Sequence, residues 1–588
     1  MTHLRSRLNV PSVVLASCAL LGSFAAHAQT LSPEMTAKVD KVFEQWNKPD
    51  SPGCALGVYK DGQIIYKHGY GMANLNDDVP ITPATVFHVA SMSKQFTAAS
   101  ILLLAQQGKL SLDDDIHKYV PELPDFGERI TLRHLMHHTS GLRDQWSLLG
   151  LAGWRYSQDL ITDDDVMSVL VRQKALNFKP GEKYMYSNTG FTLLAIVVKR
   201  VSGMSFREFT TKNIFEPLGM THTHFRDDHE EVIKHDALGY EQDGKDKPFR
   251  MNLTNFDTAG ATSLHTTVED LQLWDENFYH PKVGGQALIE QMLEKGKLNS
   301  GKDQDYAAGL AIGTYKGLRT VGHGGADAGY RSDITRFPDQ HFSATVLCNL
   351  ASTNPSSLVN QVADIMLAKD FNEPAKDSAK DKAKEPAKTG IVAMTAEQMQ
   401  AVAGTYWKRE DDDYQRILLK DGTLVVDFGG DEYHPLKTFA EGHFHIGDVP
   451  WGEHLDIHFV PAAEGKPARI EQSFDGDHAE VYESVVAVDP TPAQLVEYAG
   501  AFVSDEIEPV YRFTVQDGKL TLMRLKSKPD SLRATTQDVF SSQIGTIRFT
   551  RDADHHVSGF ILDAGRIQGF QFTRRPEPAG AEQRTAHQ

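Results

Sequence analysis

The stretch "FHVASMSKQFTAAS" spans residues 87–100 and places Ser91 three residues before Lys94 at the mouth of a long apolar segment. From Ser93 the chain runs "SKQFTAASILLLAQQG" to Gly108, apolar nearly all round, the pattern of a helix buried on every side. Gly108 and Lys109 supply its stop. On a helix, positions i and i+3 share a face one turn apart. A hydroxyl becomes a nucleophile when a neighbour takes its proton, and a lysine does so where burial and nearby positive charge lower its pKa. A serine at a helix N-terminus also gains a backbone N–H and the positive dipole end where an oxyanion forms. S-x-x-K alone is expected by chance about twice in a chain of this length. Ser91 and Lys94 therefore gain meaning only from what lies downstream.

Two further stretches bear on them. "KYMYSNTGF" (Lys183–Phe191) sets Tyr186-Ser187-Asn188 on the turn into the helical pattern "FTLLAIVVKRVSG" (Phe191–Gly203). A phenol beside a lysine ammonium can be partly ionised and pass protons. An asparagine two residues on can hydrogen-bond a substrate amide, although a turn tyrosine followed by a capping Asn188 explains the same residues structurally. "TVGHGGADAGYRSD" (Thr320–Asp333) puts His323-Gly324-Gly325 after a strand-like run. Its glycines admit a ligand or another backbone at close range, or mark a bulge in an edge strand. A phosphate loop is excluded by the missing GK[ST] and the lack of a following apolar helix.

Three weak patterns in the order S-x-x-K, Y-x-N, H-x-G resemble the serine β-lactamase and penicillin-binding superfamily, in its class C-like branch. "ITLRHLMHHTSGL" (Ile130–Leu142), "KLSLDDDIHKYVPEL" (Lys109–Leu123) and "TAGATSLHTTVEDLQLW" (Thr258–Trp274) resemble further segments of that family. The resemblance covers residues 29–369. It implies an α/β fold, a central antiparallel sheet flanked by helices. It implies Ser91 as the acylated nucleophile, with Lys94 and Tyr186 sharing the proton work. Asn188 would hold the substrate amide, and the N–H groups of Ser91 and Ala326 would form the oxyanion hole beside Gly325. Many relatives carry K-T-G where this chain has His323, so binding of a substrate carboxylate there is put in doubt, a histidine being mostly uncharged near neutral pH. H-x-G is what D-aminopeptidases of the family show, and these also carry two small barrels after the catalytic domain, with a barrel loop restricting the active site. D-aminopeptidase action is thus the leading expectation. A D-Ala-D-Ala carboxypeptidase, a class C-like β-lactamase, an esterase, or a sensing protein that is acylated but turns over poorly are the alternatives. No cofactor and no metal are implied. His134 and His138 share a zinc-ligand spacing but lack the metalloprotease glutamate, and His555 and His556 read as surface residues.

The chain divides along its length. Arg5 and Arg7, the apolar run Val13–Phe24 and "AAHAQ" (Ala25–Gln29) read as a signal peptide over residues 1–28. "LASC" (Leu15–Cys18) offers a rival lipoprotein site at Cys18 that too little apolar sequence precedes. An exported, periplasmic or secreted protein is the expectation. Residues 29–369 mix helical and strand patterns, with a hairpin expected to turn at Asp61-Gly62. Residues 370–391 are Lys, Asp, Ala and Pro and read as a charged linker. "TAEQMQAVAGTY" (Thr395–Tyr406) then aligns with "TPAQLVEYAGAF" (Thr491–Phe502), and "ILLKDGTLVV" (Ile417–Val426) with "FTVQDGKLTL" (Phe513–Leu522). Two copies of an antiparallel, lipocalin-like β-barrel follow, at 392–490 and 491–576, before a disordered tail at 577–588.

The net charge of −19 argues against nucleic-acid or anionic-membrane partners. No integral membrane span is expected, the apolar N-terminal run being too short. A small-molecule or peptide substrate is the partner expected, and a homodimer is compatible with the sequence. Cys54 and Cys348 read as two buried small apolar side chains, with a disulfide as the alternative.

Overall fold

Asp61 and Gly62 both adopt positive φ, 50° and 75°, the conformation that a two-residue hairpin of this twist requires. They join strand β1 (Cys54–Lys60) to β2 (Gln63–Tyr70). The computed structural model describes residues 31–371 and 394–576, except 245–246, 411–412, 428–432, 441, 447–454, 464 and 475–478. The expected signal peptide and tail lie outside the described residues, as does the linker apart from Asp370 and Phe371.

β1 and β2 are completed by four strands from much later in the chain: β3 (Ala311–Tyr315), β4 (Leu318–Asp327), β5 (Tyr330–Phe337) and β6 (Phe342–Cys348). The antiparallel order is β3-β4-β5-β6-β1-β2. β1 shows why both faces are covered. Ala55 and Tyr59 enter one hydrophobic core, while Cys54, Leu56 and Val58 enter the other, following the period-2 alternation of a strand. Helices α1 (Pro33–Val42) and α4 (Pro355–Met366) close the second core with Val39, Leu358 and Val362. The first core holds α2 (Lys94–Gln106), whose residues 94–104 are all buried, and α3 (Asn188–Ser202).

One sequence expectation is corrected. Cys54 and Cys348 are buried, but they are cross-strand neighbours of β1 and β6 with Cα atoms 4.1 Å apart, and they form a disulfide. The sequence could not show that the sheet brings together two residues separated by 294 positions.

The two repeats form two nine-stranded antiparallel sheets of identical connectivity. In each, the two edge strands are consecutive in the chain and flank a single leucine. Tyr433–Pro435 and Lys437–Ala440 flank Leu436, and Asp530–Ser531 and Arg533–Thr536 flank Leu532. Each sheet is therefore curled into a nearly closed barrel. The repeat holds in detail. Thr395 and Thr491 cap the opening helices in reciprocal pairs with Gln398 and Gln494, and Asp421-Gly422 and Asp517-Gly518 turn with the same positive φ pattern. The first barrel has its own hydrophobic core, whereas that of the second is continuous with the core around α2 and α3. Among the described residues, no single helix is long and apolar enough to cross a membrane.

Candidate active site

Ser91 lies in a short 3-10 turn, Ala90–Ser93, leading directly into α2. Ala90, just before it, holds φ at +50°, a conformation that costs energy for a residue with a Cβ and recurs at functional sites. The turn is pressed against β4. A Cβ on Gly325 would lie 2.2 Å from the Val89 carbonyl oxygen and 2.5 Å from Ser332 Oγ, so the second glycine of H-x-G is there for a backbone contact. Ser332 Oγ donates to the Val89 carbonyl (2.8 Å), fixing β5 to the same turn.

The fully buried Lys94 ammonium donates to Ser91 Oγ (2.8 Å), Asn188 Oδ1 (2.9 Å) and the Ala261 carbonyl (2.8 Å). Burial lowers its pKa to about 7; the Arg566 cation pushes the same way, against Asp327 and Asp144. The lowered pKa makes the neutral amine accessible near neutral pH, with its nitrogen 2.8 Å from the serine hydroxyl. The Tyr186 ring lies beneath, 4.9 Å from Nζ to its centroid. Burial pushes its phenol well up, with Ser91 opposing the shift, so Tyr186 stays protonated and is not an ionised base. The partial ionisation expected beside a lysine is opposed by burial, the largest influence on this phenol.

Asn188 opens α3. Its backbone N–H and Nδ2 donate to Asp144 Oδ2 (2.7 and 2.8 Å), while its Oδ1 accepts from Lys94. Asp144 also caps the helix Gln145–Leu151 through Oδ1. His138 supports Tyr186 from behind. Its ring packs 4.2 Å from the tyrosine ring, and Nδ1 accepts from the Ser187 N–H (3.2 Å). His134 makes a capping pair with Thr131. The two histidines thus have structural uses on separate sides of the segment.

His323 donates from Nδ1 to the Gly324 carbonyl (2.6 Å), and its Nε2 lies 2.9 Å from the Tyr306 hydroxyl. Burial, reinforced by Lys94, pushes its pKa down to about 4. This place in the site carries no positive charge.

Ser91, Tyr186, Asn188, His323, Gly325 and Ala326 all line one cavity of about 460 Å³. Lys94 reaches it through Ser91. The seven residues singled out in the sequence are thus brought together. Four others were missed. Asp144, two residues past the "HTSGL" segment, and Ala261, inside "TAGATS", had a family segment as their only signal. Asp327 is buried below the cavity and accepts from Tyr156, Thr262 and His88 (2.9 Å). Burial alone would raise its carboxyl, but those donors hold it below the usual range. Arg566 comes from the second barrel and had no local signal. Its guanidinium lies 4.7 Å from the Tyr186 ring centroid and 3.8 Å from Asp144 Oδ2.

Comparison with known proteins bears on the fold that carries this cavity. The chain is similar to a penicillin-binding protein of Bacillus subtilis (strain 168), 32% identical over 337 residues that cover 55% of this chain and 71% of the relative. It is 30% identical over 346 residues to Protein flp of Staphylococcus aureus (strain N315), covering 56% of this chain and 66% of that one. Among solved structures, the octameric penicillin-binding protein homologue from Pyrococcus abyssi shares the fold with a TM-score of 0.53 and 23% identity, over 76% of this chain and 99% of that one. The D-amino acid amidase from Ochrobactrum anthropi SV3 shares it with a TM-score of 0.50 and 20% identity, over 57% and 99%. The family model described as Beta-lactamase matches residues 39–367, and the chain belongs to that family.

Proposed function

We propose that this protein is an exported serine hydrolase that forms an acyl-enzyme on Ser91 and cleaves amide or ester bonds, with D-amino-acid amides and peptides as its leading substrate class. The observation that carries this reading is the 2.8 Å hydrogen bond from Lys94 to Ser91 Oγ, made by a lysine whose pKa lies at about 7. Ser91 Oγ attacks the carbonyl carbon and passes its proton to Lys94 Nζ. The developing oxyanion is taken by the N–H groups of Ser91 and Ala326. The protonated Tyr186 hydroxyl gives its proton to the leaving nitrogen or oxygen and is replenished from Lys94. Asn188, held by Asp144 and Lys94, offers its remaining Nδ2 hydrogen to the substrate amide. Water then releases the acyl group by the same groups in reverse. The neutral His323 supports an amide or a free amine near this point over an anion. The D-amino acid amidase named above has the same fold, and a disulfide in the central sheet suits an oxidising compartment.

The test is a panel of D-alanine p-nitroanilide, a short-chain p-nitrophenyl ester, nitrocefin and a D-Ala-D-Ala peptide, each run beside Ser91→Ala. Ser91→Ala is expected to abolish turnover on every substrate cleaved. Activity retained by that variant overturns the assignment of the nucleophile, and turnover of nitrocefin alone overturns the D-residue preference. A burst of acyl-enzyme without turnover on any substrate identifies the sensing alternative.

A further inference from the structure

The cavity has a positive charge at its mouth that does not come from the catalytic domain. Arg566 sits on the turn between Val557–Ala564 and Ile567–Arg574, two strands of the second barrel, and lines the same cavity as Ser91. Its turn is clamped. The Arg566 carbonyl accepts from Asn177 Nδ2 (3.0 Å) and Asp144 N–H (3.4 Å), and the Gln568 N–H donates back to Asn177 Oδ1 (2.8 Å). Arg143 holds the Gln568 and Gly569 carbonyls and pairs with Glu506 (2.6 Å), with Arg143 and Glu506 only 1% and 6% exposed.

The side chain is held but not used. Arg566 lies over Tyr186, and its nearest acid, Asp144, is 3.8 Å away, beyond hydrogen-bond distance. Asp144 spends its oxygens on Asn188, Trp146 and Ser147. Among the described residues the Arg566 guanidinium donates no hydrogen bond, and its side chain is 46% exposed at the cavity. Arg331, the other arginine lining the cavity, gives Nη1 to the Ala328 and Tyr330 carbonyls (3.0 and 2.7 Å). The cavity's acid, Asp327, already has its three donors. His323 is neutral. Arg331 thus has one arm committed to its own turn, whereas the whole fork of Arg566 is open to an anion, and a planar guanidinium matches a carboxylate with two parallel bonds.

We infer that Arg566 is a specificity-determining residue contributed by the second barrel, and that it selects substrates bearing a carboxylate close to the scissile amide or ester. The inference rests on the acyl-enzyme reading above and narrows its substrate class to peptides and esters that carry a carboxylate, ahead of simple D-amino-acid amides. The catalytic domain supplies the reacting groups, and the barrel supplies the charge that chooses among substrates. This places the carboxylate anchor on the Tyr186 and Asn188 side of Ser91, away from the H-x-G strand.

The test uses two matched pairs that place the carboxylate on opposite sides of the scissile bond: mono-p-nitrophenyl succinate with p-nitrophenyl butyrate, and N-acetyl-D-Ala-D-Ala with its C-terminal amide. The quantity read is the ratio of kcat/KM for acid over neutral partner in the full-length protein. Arg566→Gln is expected to lower that ratio about ten-fold or more in at least one pair, mainly through KM. Arg566→Lys should give an intermediate ratio, and Arg566→Glu should favour the neutral partner. A structural defect lowers both members of a pair together, so an unchanged ratio in both pairs overturns the proposal. Binding to Ser91→Ala, measured by calorimetry with the same four compounds, separates the two readings. If that protein binds an acid about ten-fold more tightly than its neutral partner and loses the difference with Arg566→Gln, the anchor stands even if no substrate is turned over. Acid bound no better than neutral overturns it.

Discussion

The two barrels are copies of one module placed in two different settings. Strand order, opening helix and Asp-Gly turn repeat from one to the other. Yet the second barrel shares a core with the catalytic domain, and the first keeps a core of its own. The second also makes specific bonds across the junction. Tyr511 donates to the Leu151 carbonyl (2.9 Å), Arg143 pairs with Glu506, and Lys174 gives its N–H to the same Glu506 (2.8 Å). The hairpin that carries Arg566 corresponds, by strand order, to the pair Arg469–Phe474 and Glu480–Val485, between which the sequence contains no arginine. A duplicated scaffold has therefore kept its strand order, opening helix and Asp-Gly turn while diverging in what it packs against. That is the usual division of labour between a fold and its loops.

This contrast can be broken most severely by deletion. Removing residues 491–576 exposes the shared core, and the product is expected to be insoluble. Excising residues 394–485 should leave a soluble protein that still turns over substrate. Calorimetry on the intact chain should correspondingly resolve two transitions, one for the first barrel and one for the catalytic domain with the second barrel; a single transition would merge what is here held apart.

Point changes give smaller effects. Arg143→Ala leaves Glu506 as an uncompensated buried charge and should cost about 3–5 kcal/mol, seen as a fall in the shared transition with the first barrel's unmoved. Cys54→Ser with Cys348→Ser should lower the shared transition by about 2–4 kcal/mol. The same loss in the first barrel's transition would show that the two bodies unfold together.

The smallest expected effect is on pH dependence. Lys94 must lose its proton to act as base, so kcat/KM should rise with pH through about 7. The Arg566 cation lowers the Lys94 pKa, so Arg566→Gln should move this limb to higher pH by a fraction of a unit. A charge removed from the first barrel, as in Lys437→Gln, should leave the limb in place. If both substitutions move it equally, Arg566 has no special relation to the site.

The sequence made much of this legible. The buried character of α2, the hairpin at Asp61-Gly62 and the duplicated barrels were readable because each depends on local periodicity or turn chemistry. The candidate catalytic groups were readable because three short patterns occur in a fixed order, which resembles a known family. What escaped were contacts made across long separations by residues of ordinary type. Arg566 is one arginine of a polar turn until the barrel docks. Asp144 looks like a helix cap and is one, with its second oxygen holding Asn188. The disulfide was hidden because nothing local tells which strand will lie beside β1. The charge states of Tyr186 and His323 depend on burial, which a sequence expresses only through the fold.

The pairing of β1 with β6 bears on the order in which the molecule comes together. The sheet's second-to-last strand in space is its first in sequence, and its neighbour is separated from it by 294 residues at the disulfide. Non-local pairing of this kind makes folding slow, because a long loop closes before its contacts are rewarded. A chain emerging from the ribosome cannot build this core until β6 has appeared, and it cannot present Arg566 to the cavity until the last hairpin of the second barrel has followed. Catalytic groups and substrate choice are thus finished in that sequence, and a nascent chain carries Ser91 and Lys94 long before it can hold them in a working arrangement.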